Sequence, residues 1–342
     1  MGHVVTWPGL YCPVEPAAHP MAEQAQIRSV EWSTRFELAP DPRRRARLAA
    51  AKLGPLAALS APGCPPAWLQ VLADMATWWT AFDDECDDGR STDELGVLMW
   101  PVLRAFDAPA SHAETGYAAA LSDLRHRIAA LATPELARQF TDGLRATLLT
   151  ELVRTAQTSG GAEPTYDESL ATRGRSSSPA WAFPLLWHAA GCRGSAEATL
   201  ADPACGVLLD LTASIINWDN DFHSYDGDRA DPGNGRNLVS QVRVRLGCGE
   251  QDAIAAAVAL RNEVMALFLR LRDRLHHRAD PDLRRFLAGL GHYLRGNLDW
   301  HELSGRYATT GISLVPEWER VWCDPRLRTP AISWWWDEAD GS

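Results

Sequence analysis

The chain has 342 residues, of which 46% are apolar and 23% charged, and this is the composition of a globular protein with a large core. Its formal net charge of −11 disfavours nucleic acid and anionic membrane surfaces as partners, because both attract basic proteins. The sequence shows no signal-peptide pattern and no apolar stretch near the roughly 20 residues that span a bilayer. Seven scattered cysteines without a CxxC pair favour reduced thiols. We therefore expect a cytoplasmic protein that does not insert into a membrane.

Helical signals dominate the first half of the chain. After Pro65-Pro66, apolar residues recur at intervals of three and four, which predicts a buried helix that ends in an acidic cluster at 83–88. Ser91 with Glu94 forms a capping box for the next helix. Thr133-Pro134 is an N-cap and N1 pair, which predicts another long helix.

The second half of the chain follows the same pattern. Thr165 with Glu168 makes a further capping box, for a helix that leads to Arg173. Three more helices are predicted, over about 204–225, 251–277 and 281–304. Strand signals are nearly absent, and no linker divides the chain. We predict a single all-α domain over residues 1–342 with about ten helices, in which residues 1–35 wrap the outside.

The first chemical motif is Asp83-Asp84-x-x-Asp87. Asp83 and Asp87 are four residues apart and share one face of the predicted helix. A helix C-terminus already carries partial negative charge, so two carboxylates there are unfavourable unless a cation compensates them. This favours a hard divalent cation such as Mg²⁺. A solvated acidic turn explains the same spacing, but the adjoining turn is aromatic and makes a poor solvent-facing surface.

The second motif is a stripe of oxygen-bearing side chains at Asn220, Ser224 and Asp228. Residues four apart lie on one helix face, and these three together could form a tridentate site for a hard metal. A helix end that frays into a polar loop is the alternative. A rival register through Asp219 and His223 would add a nitrogen ligand. We favour the oxygen stripe because Mg²⁺ prefers oxygen ligands.

The third pattern is basic, and consists of Arg173 and the pair Arg306-Tyr307. Arginine binds phosphate oxygens in bidentate fashion, and a tyrosine hydroxyl adds a further donor. Arginine is also common on surfaces, so neither position indicates a phosphate site without the acidic motifs.

Taken together, the three patterns resemble the bacterial class I terpene synthases, also called terpene cyclases. Residues 83–87 match that family's DDxxD motif, and residues 220–228 match its second metal motif, ND[LIV]xSxxxE. Arg173 lies where the family keeps a diphosphate-sensing arginine, and Arg306-Tyr307 matches its C-terminal Arg-Tyr pair. The resemblance spans nearly the whole chain, and Asn237-Leu238-Val239 adds to it.

Three residues of the second motif depart from the family pattern. Asp228 stands where the family usually has glutamate and is one methylene shorter. Gly227 replaces the usual basic residue before that ligand, and Phe222 replaces an aliphatic one. One diphosphate contact is therefore missing, and Arg229 is a candidate to replace it.

The resemblance implies a linear isoprenoid diphosphate substrate, three Mg²⁺ ions and a helical bundle with a central apolar cavity. On this basis Asp83 and Asp87 are expected to bind two ions, and the Asn220 stripe the third. Asp84 is expected to orient Arg173. The residues expected to grip the diphosphate are Arg173, Arg306 and Tyr307.

The tryptophan count of fifteen also gains a function from the resemblance. A carbocation needs a dry cavity, and desolvated aromatic rings stabilise a cation by about 2 kcal/mol each. The candidate cavity residues are Trp79, Phe82, Trp187, Trp218 and Trp300. Two segments, residues 229–236 and 308–342, are expected to close over the site as lids.

The implied reaction is ionisation and cyclisation of the substrate with release of diphosphate. The C15 compound farnesyl diphosphate is favoured as substrate, and C20 geranylgeranyl diphosphate is next. A prenyltransferase of the same fold would need a second DDxxD motif. A non-catalytic isoprenoid-binding protein is the alternative from another class, motivated by Asp228 and Gly227. Either a monomer or a homodimer fits the sequence.

Overall fold

Helix starts in this protein follow the capping signals of the sequence. The amide of Ser91 donates to Glu94 Oε2 at 2.8 Å, and the amide of Glu94 donates back to Ser91 Oγ at 3.3 Å. The same two bonds join Thr165 and Glu168, at 2.8 and 3.3 Å. Each predicted capping box is confirmed, and each satisfies two amide groups that a first helical turn otherwise leaves without partners.

The computed structural model describes residues 5–87, 91–107, 114–159, 164–173, 179–194, 196, 199, 202–229, 236–307, 311–319 and 323–340. For residues 87, 158, 159, 173, 179, 180 and 340, the backbone is described but the side chain is not. The α-helices in these ranges are α1 (Ala22–Arg35), α2 (Pro42–Ala50), α3 (Leu53–Ser60), α4 (Pro66–Asp87), α5 (Thr92–Asp107), α6 (Gly116–Leu131), α7 (Pro134–Ser159), α8 (Tyr166–Arg173), α9 (Pro179–Ala189), α10 (Pro203–Asp228), α11 (Leu238–Leu246), α12 (Glu250–Arg278), α13 (Pro281–Leu303) and α14 (Trp334–Asp340).

The all-α prediction is confirmed, whereas the expected number of about ten helices was too low. Within the described ranges there are fourteen α-helices. Short helices such as α2 and α3 have only two turns, over which an apolar period hardly repeats. None of the helices described is long and apolar enough to cross a membrane. The seven cysteines, all within the described ranges, form no disulfide.

The N-terminal region is more integrated than the predicted outer wrapping. Helix α1 packs against α3 and α4, and buried Trp32 donates its indole N–H to Asp123 of α6 at 2.9 Å. Before α1, strand β1 (Leu10–Tyr11) pairs in parallel with strand β2 (Leu314–Val315). The first residues are therefore joined to the segment that follows the last long helix.

Helix α3 lies at close range between α1 and α13. A Cβ atom on Gly296 of α13 would lie 2.5 Å from the backbone carbon of Leu59 and 2.6 Å from its oxygen. These two helices therefore contact at backbone distance, and only glycine fits at this point of α13. The contact matters for the site because α13 leads directly into Arg306-Tyr307.

We predict that Gly296→Ala lowers the free energy of unfolding by about 1–3 kcal/mol, because the added methyl group overlaps the backbone of α3. Gly289→Ala on the same helix is the matched control. Its added Cβ would lie 3.6 Å from the nearest atom, Ala190 Cβ, which is an ordinary contact. The control should be neutral or more stable by up to about 1 kcal/mol. Urea unfolding curves measure both, and equal effects would contradict the close packing.

Candidate active site

The C-terminal end of α4 places the first acidic motif on an aromatic stack. The rings of Trp78 and Phe82 lie nearly parallel with centroids 5.1 Å apart, and Tyr117 of α6 packs edge-on against Phe82 at 5.3 Å. The Tyr117 hydroxyl lies 3.0 Å from the carbonyl oxygen of Ala81. Trp78 and Phe82 are fully buried. These contacts fix the last turns of α4 and hence the direction of the carboxylates that follow.

Two carboxylates of the motif are paired with arginines. Arg306 donates from both terminal nitrogens to Asp84, at 2.9 and 3.2 Å, and Arg47 of α2 adds a contact at 3.3 Å. Buried Glu85 pairs with Arg44 of α2. A bidentate arginine–carboxylate pair fixes both position and orientation of its members. The end of α4 is thus tied to α2 and to the segment after α13.

Asp84 has two arginine partners among the described side chains, Arg306 and Arg47. The course of the chain after α13 brings Arg306 directly to the end of α4. We expected Asp84 to orient Arg173, and that contact stays a prediction. The side chain of Arg173 lies outside the described residues, and so do those of Asp87 and of residues 174–178.

The junction between α2 and α3 holds the turn that carries the Arg-Tyr pair. The carbonyl oxygen of Ala51 accepts from Trp300 Nε1 at 2.6 Å and from Ser304 Oγ at 3.2 Å. The amide of Gly305 donates to the carbonyl oxygen of Ala50 at 2.8 Å. Since α2 also supplies two arginines to the acidic motif, this short helix positions the end of α4 and the end of α13 together.

Burial and charge set the protonation of the Arg-Tyr pair. Burial alone would lower the pKa of Arg306, but the hydrogen bonds and charge of Asp84 outweigh it and raise that pKa. Burial raises the pKa of Tyr307, against the opposing effect of Arg306. Arg306 is therefore a permanent cation and Tyr307 a neutral hydroxyl, which is the form that donates a hydrogen bond to an anion.

The second motif lies on one face of an unbroken helix. Helix α10 continues through Asp228, so Asn220, Ser224 and Asp228 form a single stripe and the fraying alternative is excluded. Ser224 Oγ donates to Asp228 Oδ2 at 2.7 Å. Asn237 Nδ2 donates to the same oxygen at 2.8 Å. The shorter carboxylate of Asp228 is thus held from both sides.

The start of α11 is docked on the end of α10. Asn237 caps α11, since its Oδ1 accepts from the amide of Val239 at 3.0 Å. The amide of Leu238 donates to Asp221 Oδ2 at 3.0 Å, and Asn237 Nδ2 lies 2.5 Å from the carbonyl oxygen of Asp221. Asn237 therefore orders a helix start and a predicted metal ligand at once.

One pair of consecutive residues joins the two acidic motifs. Tyr307 OH accepts from Asn220 Nδ2 at 2.7 Å, while Arg306 holds Asp84. Residues that are more than 80 positions apart in the sequence are thereby brought together: Asp84, Asn220 and the pair Arg306-Tyr307.

The comparison with known proteins matches this arrangement. The family model described as terpene synthase family 2, C-terminal metal binding, matches residues 74–267, which include both acidic motifs. The chain belongs to this family. It is therefore a terpene synthase, a carbon–oxygen lyase that acts on isoprenoid diphosphates.

Characterised relatives extend the match over nearly the whole synthase. The (+)-(1(10)E,4E,6S,7R)-germacradien-6-ol synthase of Streptomyces pratensis is 29% identical, and the alignment covers 96% of each chain. The (+)-T-muurolol synthase of Streptomyces clavuligerus, described as (2E,6E)-farnesyl diphosphate cyclizing, is 30% identical over 95% of this chain and 81% of its own. The crystal structure of 2-methylisoborneol synthase from Streptomyces coelicolor, in complex with Mg²⁺ and 2-fluoroneryl diphosphate, shares the fold with a TM-score of 0.78 at 23% identity. The structural alignment covers 90% of this chain and 98% of the 2-methylisoborneol synthase chain.

The rival register of the second motif is occupied by structural contacts. Asp219 is fully buried and accepts from Arg261 of α12 in bidentate fashion, at 2.7 and 2.9 Å. Arg261 Nη1 also donates to the carbonyl oxygen of Tyr11 in β1. Burial raises the pKa of Asp219, and the charge of Arg261 opposes that rise. Asp219 is thus a member of a buried ion pair and not a second-motif ligand.

His223 of the rival register stacks on His301 of α13, with ring centroids 4.2 Å apart. Each ring places Nδ1 2.7 Å from the backbone carbonyl oxygen four residues earlier, at Asp219 and Asn297 respectively. A carbonyl oxygen only accepts, so both Nδ1 atoms carry a proton. Burial lowers the pKa of His301, and the charge of His223 adds to this. The stacked pair therefore packs α10 on α13, and burial favours the neutral form of His301.

The predicted cavity aromatics fall into two groups. Phe82, Trp187 and Trp218 are 0–2% exposed, so neighbouring side chains cover almost their whole surface. Trp187 packs on Phe286, near the start of α13 and about 25 Å along the helix from its end. Trp79 and Trp300 keep 7% and 6% of their surface. A substrate contact by any of these rings stays a prediction, and the same holds for the central cavity.

The predicted lid segments are described only in part. Residues 230–235 and 308–310 lie outside the described ranges. Helix α14 packs on α10, where the rings of Trp335 and Trp218 lie 6.4 Å apart. Arg229, the candidate replacement cation, is exposed and pairs with Asp226 at 3.2 Å and Glu250 at 3.1 Å. The ion pairs that Arg229 makes in this structure are therefore with Asp226 and Glu250, and its contact with diphosphate stays a prediction.

The donors of the two motifs fit a hard metal ion. The second motif offers an amide, a hydroxyl and a carboxylate, all of which have oxygen atoms that a hard cation prefers. The amide nitrogen of Asn220 donates to Tyr307, so this hydrogen bond does not use the amide oxygen. Among the described residues, no three His, Cys, Asp or Glu side chains gather in one metal-binding group.

Several functional neighbours carry no motif that would reveal them in the sequence. Arg44, Arg47 and Arg261 are ordinary arginines until the fold pairs them with Glu85, Asp84 and Asp219. Asn237 has one readable signal, since asparagine before an apolar run predicts a helix N-cap.

We predict that Arg261→Leu lowers the free energy of unfolding by about 3–5 kcal/mol, because it leaves the buried Asp219 without its partner. Adding Asp219→Leu should recover part of the loss, since no unpaired charge then remains. Arg272→Leu on the same helix, which breaks a partly exposed pair with Asp273, should cost less than about 1 kcal/mol. Guanidinium unfolding measures all three variants. Equal effects of the two arginine variants would contradict a special role for the buried pair.

Proposed function

We propose that this synthase uses Mg²⁺ to ionise and cyclise a linear isoprenoid diphosphate, with C15 farnesyl diphosphate preferred and C20 geranylgeranyl diphosphate next. One observation carries the proposal. Arg306 and Tyr307 contact Asp84 of the first motif and Asn220 of the second, so a cation and a neutral donor lie between the two candidate metal-binding helices. A diphosphate bound between the motifs would meet both.

The roles follow from the donors that each residue presents. Asp83 and Asp87 are the proposed ligands of two ions, and Asn220, Ser224 and Asp228 of the third. Bound metal would neutralise the charge that develops on the leaving diphosphate. Arg306, Tyr307 and Arg173 would bind diphosphate oxygens, with Asp84 fixing the direction of Arg306.

The remaining requirement is a dry environment for the cation. Aromatic rings pack together near both motifs, in the Trp78–Phe82 and Trp300–Tyr307 contacts. Apolar rings in these positions would help to keep water away from the cation. Rings that line the cavity, with Trp79 as the proposed example, would stabilise positive charge by cation–π attraction. No dedicated general base is needed, because released diphosphate is able to accept the final proton.

The substrate length is proposed from the relatives. The T-muurolol synthase of 30% identity is described as acting on a C15 substrate, which supports farnesyl diphosphate. The Mg²⁺ and 2-fluoroneryl diphosphate in the 2-methylisoborneol synthase structure support the metal and the class of ligand. A cytoplasmic location stays a prediction.

Two other functions fit the fold less well. A prenyltransferase would need a second aspartate-rich motif, and the second stripe holds one carboxylate, Asp228, among its three ligands. A non-catalytic isoprenoid-binding protein was suggested by Asp228 and Gly227. The hydrogen bonds from Ser224 and Asn237 make this alternative less favourable, because they hold the shorter Asp228 carboxylate in a fixed position, as a metal ligand requires.

The test is incubation of the purified chain with Mg²⁺ and each of the C10, C15 and C20 diphosphates. We expect a cyclic hydrocarbon or alcohol from the C15 compound by gas chromatography–mass spectrometry, with matching diphosphate release and no product in EDTA. Asp83→Asn and Asn220→Ala should each lower kcat/KM by more than about a hundredfold, since each loses a metal contact worth several kcal/mol.

Asp226→Asn is the control for these variants. Asp226 is an exposed carboxylate on α10 that lies off the Asn220 stripe and pairs with Arg229. It should leave kcat/KM within about twofold. Diphosphate release from none of the three substrates would refute the enzyme, and full activity of Asn220→Ala would refute the second metal site.

Gly227 offers a separate test of the diphosphate site. A Cβ at this position meets no atom within 4 Å, and residue 227 lies three positions after Ser224, on the side of the metal stripe. We predict that Gly227→Lys lowers KM severalfold by restoring a cation near the diphosphate. Gly227→Gln, of similar length and helix propensity, should raise helix stability equally without lowering KM. Steady-state kinetics on both variants distinguish charge from stability, and equal KM values would contradict the prediction.

A further inference from the structure

The outward face of α5 is unusual in carrying large apolar side chains. Val97 is 77% exposed and Trp100 is 65% exposed. Single exposed apolar residues are common on protein surfaces, but a tryptophan with most of its ring in water is costly unless something covers it. On α7, which packs against α5, Leu149 and Val153 are 63% and 45% exposed. Together these four side chains form what we call the α5/α7 patch.

The patch is continuous with the contact between its two helices. Asp107, at the end of α5, pairs with Arg145 of α7 at 2.6 Å. Leu149 follows Arg145 by one helical turn and Val153 by two. The apolar face of α7 therefore begins beside the charged pair that joins it to α5.

Charges flank the apolar part of α5 in a symmetric order. Asp93, Val97, Trp100 and Arg104 are spaced by four, three and four residues, so they lie on one helix face over about 16 Å. Asp93 and Arg104 are both exposed. Among the described residues, neither takes part in an ion pair or side-chain hydrogen bond.

This order is self-complementary when two copies of the helix run in opposite directions. A two-fold axis midway between Val97 and Trp100 places each Val97 opposite the partner's Trp100. The same axis places each Asp93 opposite the partner's Arg104. The same surface thus supplies apolar contact at its centre and opposite charges at both ends, as an isologous dimer interface requires.

We propose that this face binds a second copy of the chain, with the α5 helices antiparallel and the α7 residues Leu149 and Val153 widening the contact. An anionic membrane surface is a poor occupant, because the chain carries a net charge of −11. Tryptophan is the residue type that contributes most at interface centres, so Trp100 is the expected anchor.

Charge exchange tests both the partner and the register, by sedimentation equilibrium of the full chain at about 1–100 µM. Asp93→Arg alone places arginine opposite arginine, and Arg104→Asp alone places aspartate opposite aspartate. Each should weaken self-association at least tenfold. The double variant restores opposite charges at both ends and should regain dimerisation. An equimolar mixture of the two single variants should also dimerise, because each arginine-rich copy then faces an aspartate-rich one.

Trp100→Glu tests the apolar centre and should leave the chain monomeric. Val244→Glu, at an 82% exposed valine on α11, is the matched control and should associate as the parent does. Circular dichroism spectra confirm folding in every case. A chain that stays monomeric at the highest concentration would overturn the proposal. So would a dimer that is insensitive to Trp100→Glu, or single charge variants that do not rescue each other when mixed.

Discussion

The site depends on one contact more than on any other, the double hydrogen bond between Arg306 and Asp84. Neither residue belongs to the second motif, yet this bond holds the turn in which Tyr307 reaches Asn220. Two helices that contact each other little are thereby held at a defined separation by a two-residue segment. A charge-assisted bidentate bond suits this task because it fixes orientation as well as distance. Helix α2 supports it from behind, through its arginines and through the carbonyl groups at its end.

A second constraint sets how α10 is rotated about its own axis. The buried Asp219–Arg261 pair lies next to Asn220 in sequence and faces away from the proposed metal. Desolvating both charges consumes most of the attraction between them, so such a pair adds little to net stability. Its effect is on geometry, because any rotation of α10 that moved Asn220 would separate two buried charges. The stacked rings of His223 and His301 hold the same helix against α13.

Sequence reasoning predicted the long helices, their capping boxes and the two acidic motifs, because these signals are local. It did not predict the partner of Asp84, since nothing near residue 84 indicates which arginine 222 positions later, or 37 earlier, will face it. Nor does the sequence tell which aromatic rings line a cavity. An aromatic residue close to a motif looks the same in the sequence whether its ring faces a cavity or packs against other rings. Phe82, for example, packs against Trp78 and Tyr117. Short helices were missed because two turns give too few repeats for a period.

The parallel pairing of β1 with β2 has a consequence for how this chain folds during synthesis. Leu10 leaves the ribosome early, but its partner Leu314 follows some 300 residues later. Until then, the backbone groups that Tyr11 offers to Arg261 and Asn262 belong to an unanchored segment. Contacts of such sequence separation form slowly, because a long loop must close first. Assembly of the region around α10 is therefore expected to finish only after Leu314 has been synthesised, and until then the helices exist while the segment around Leu10 has not yet docked.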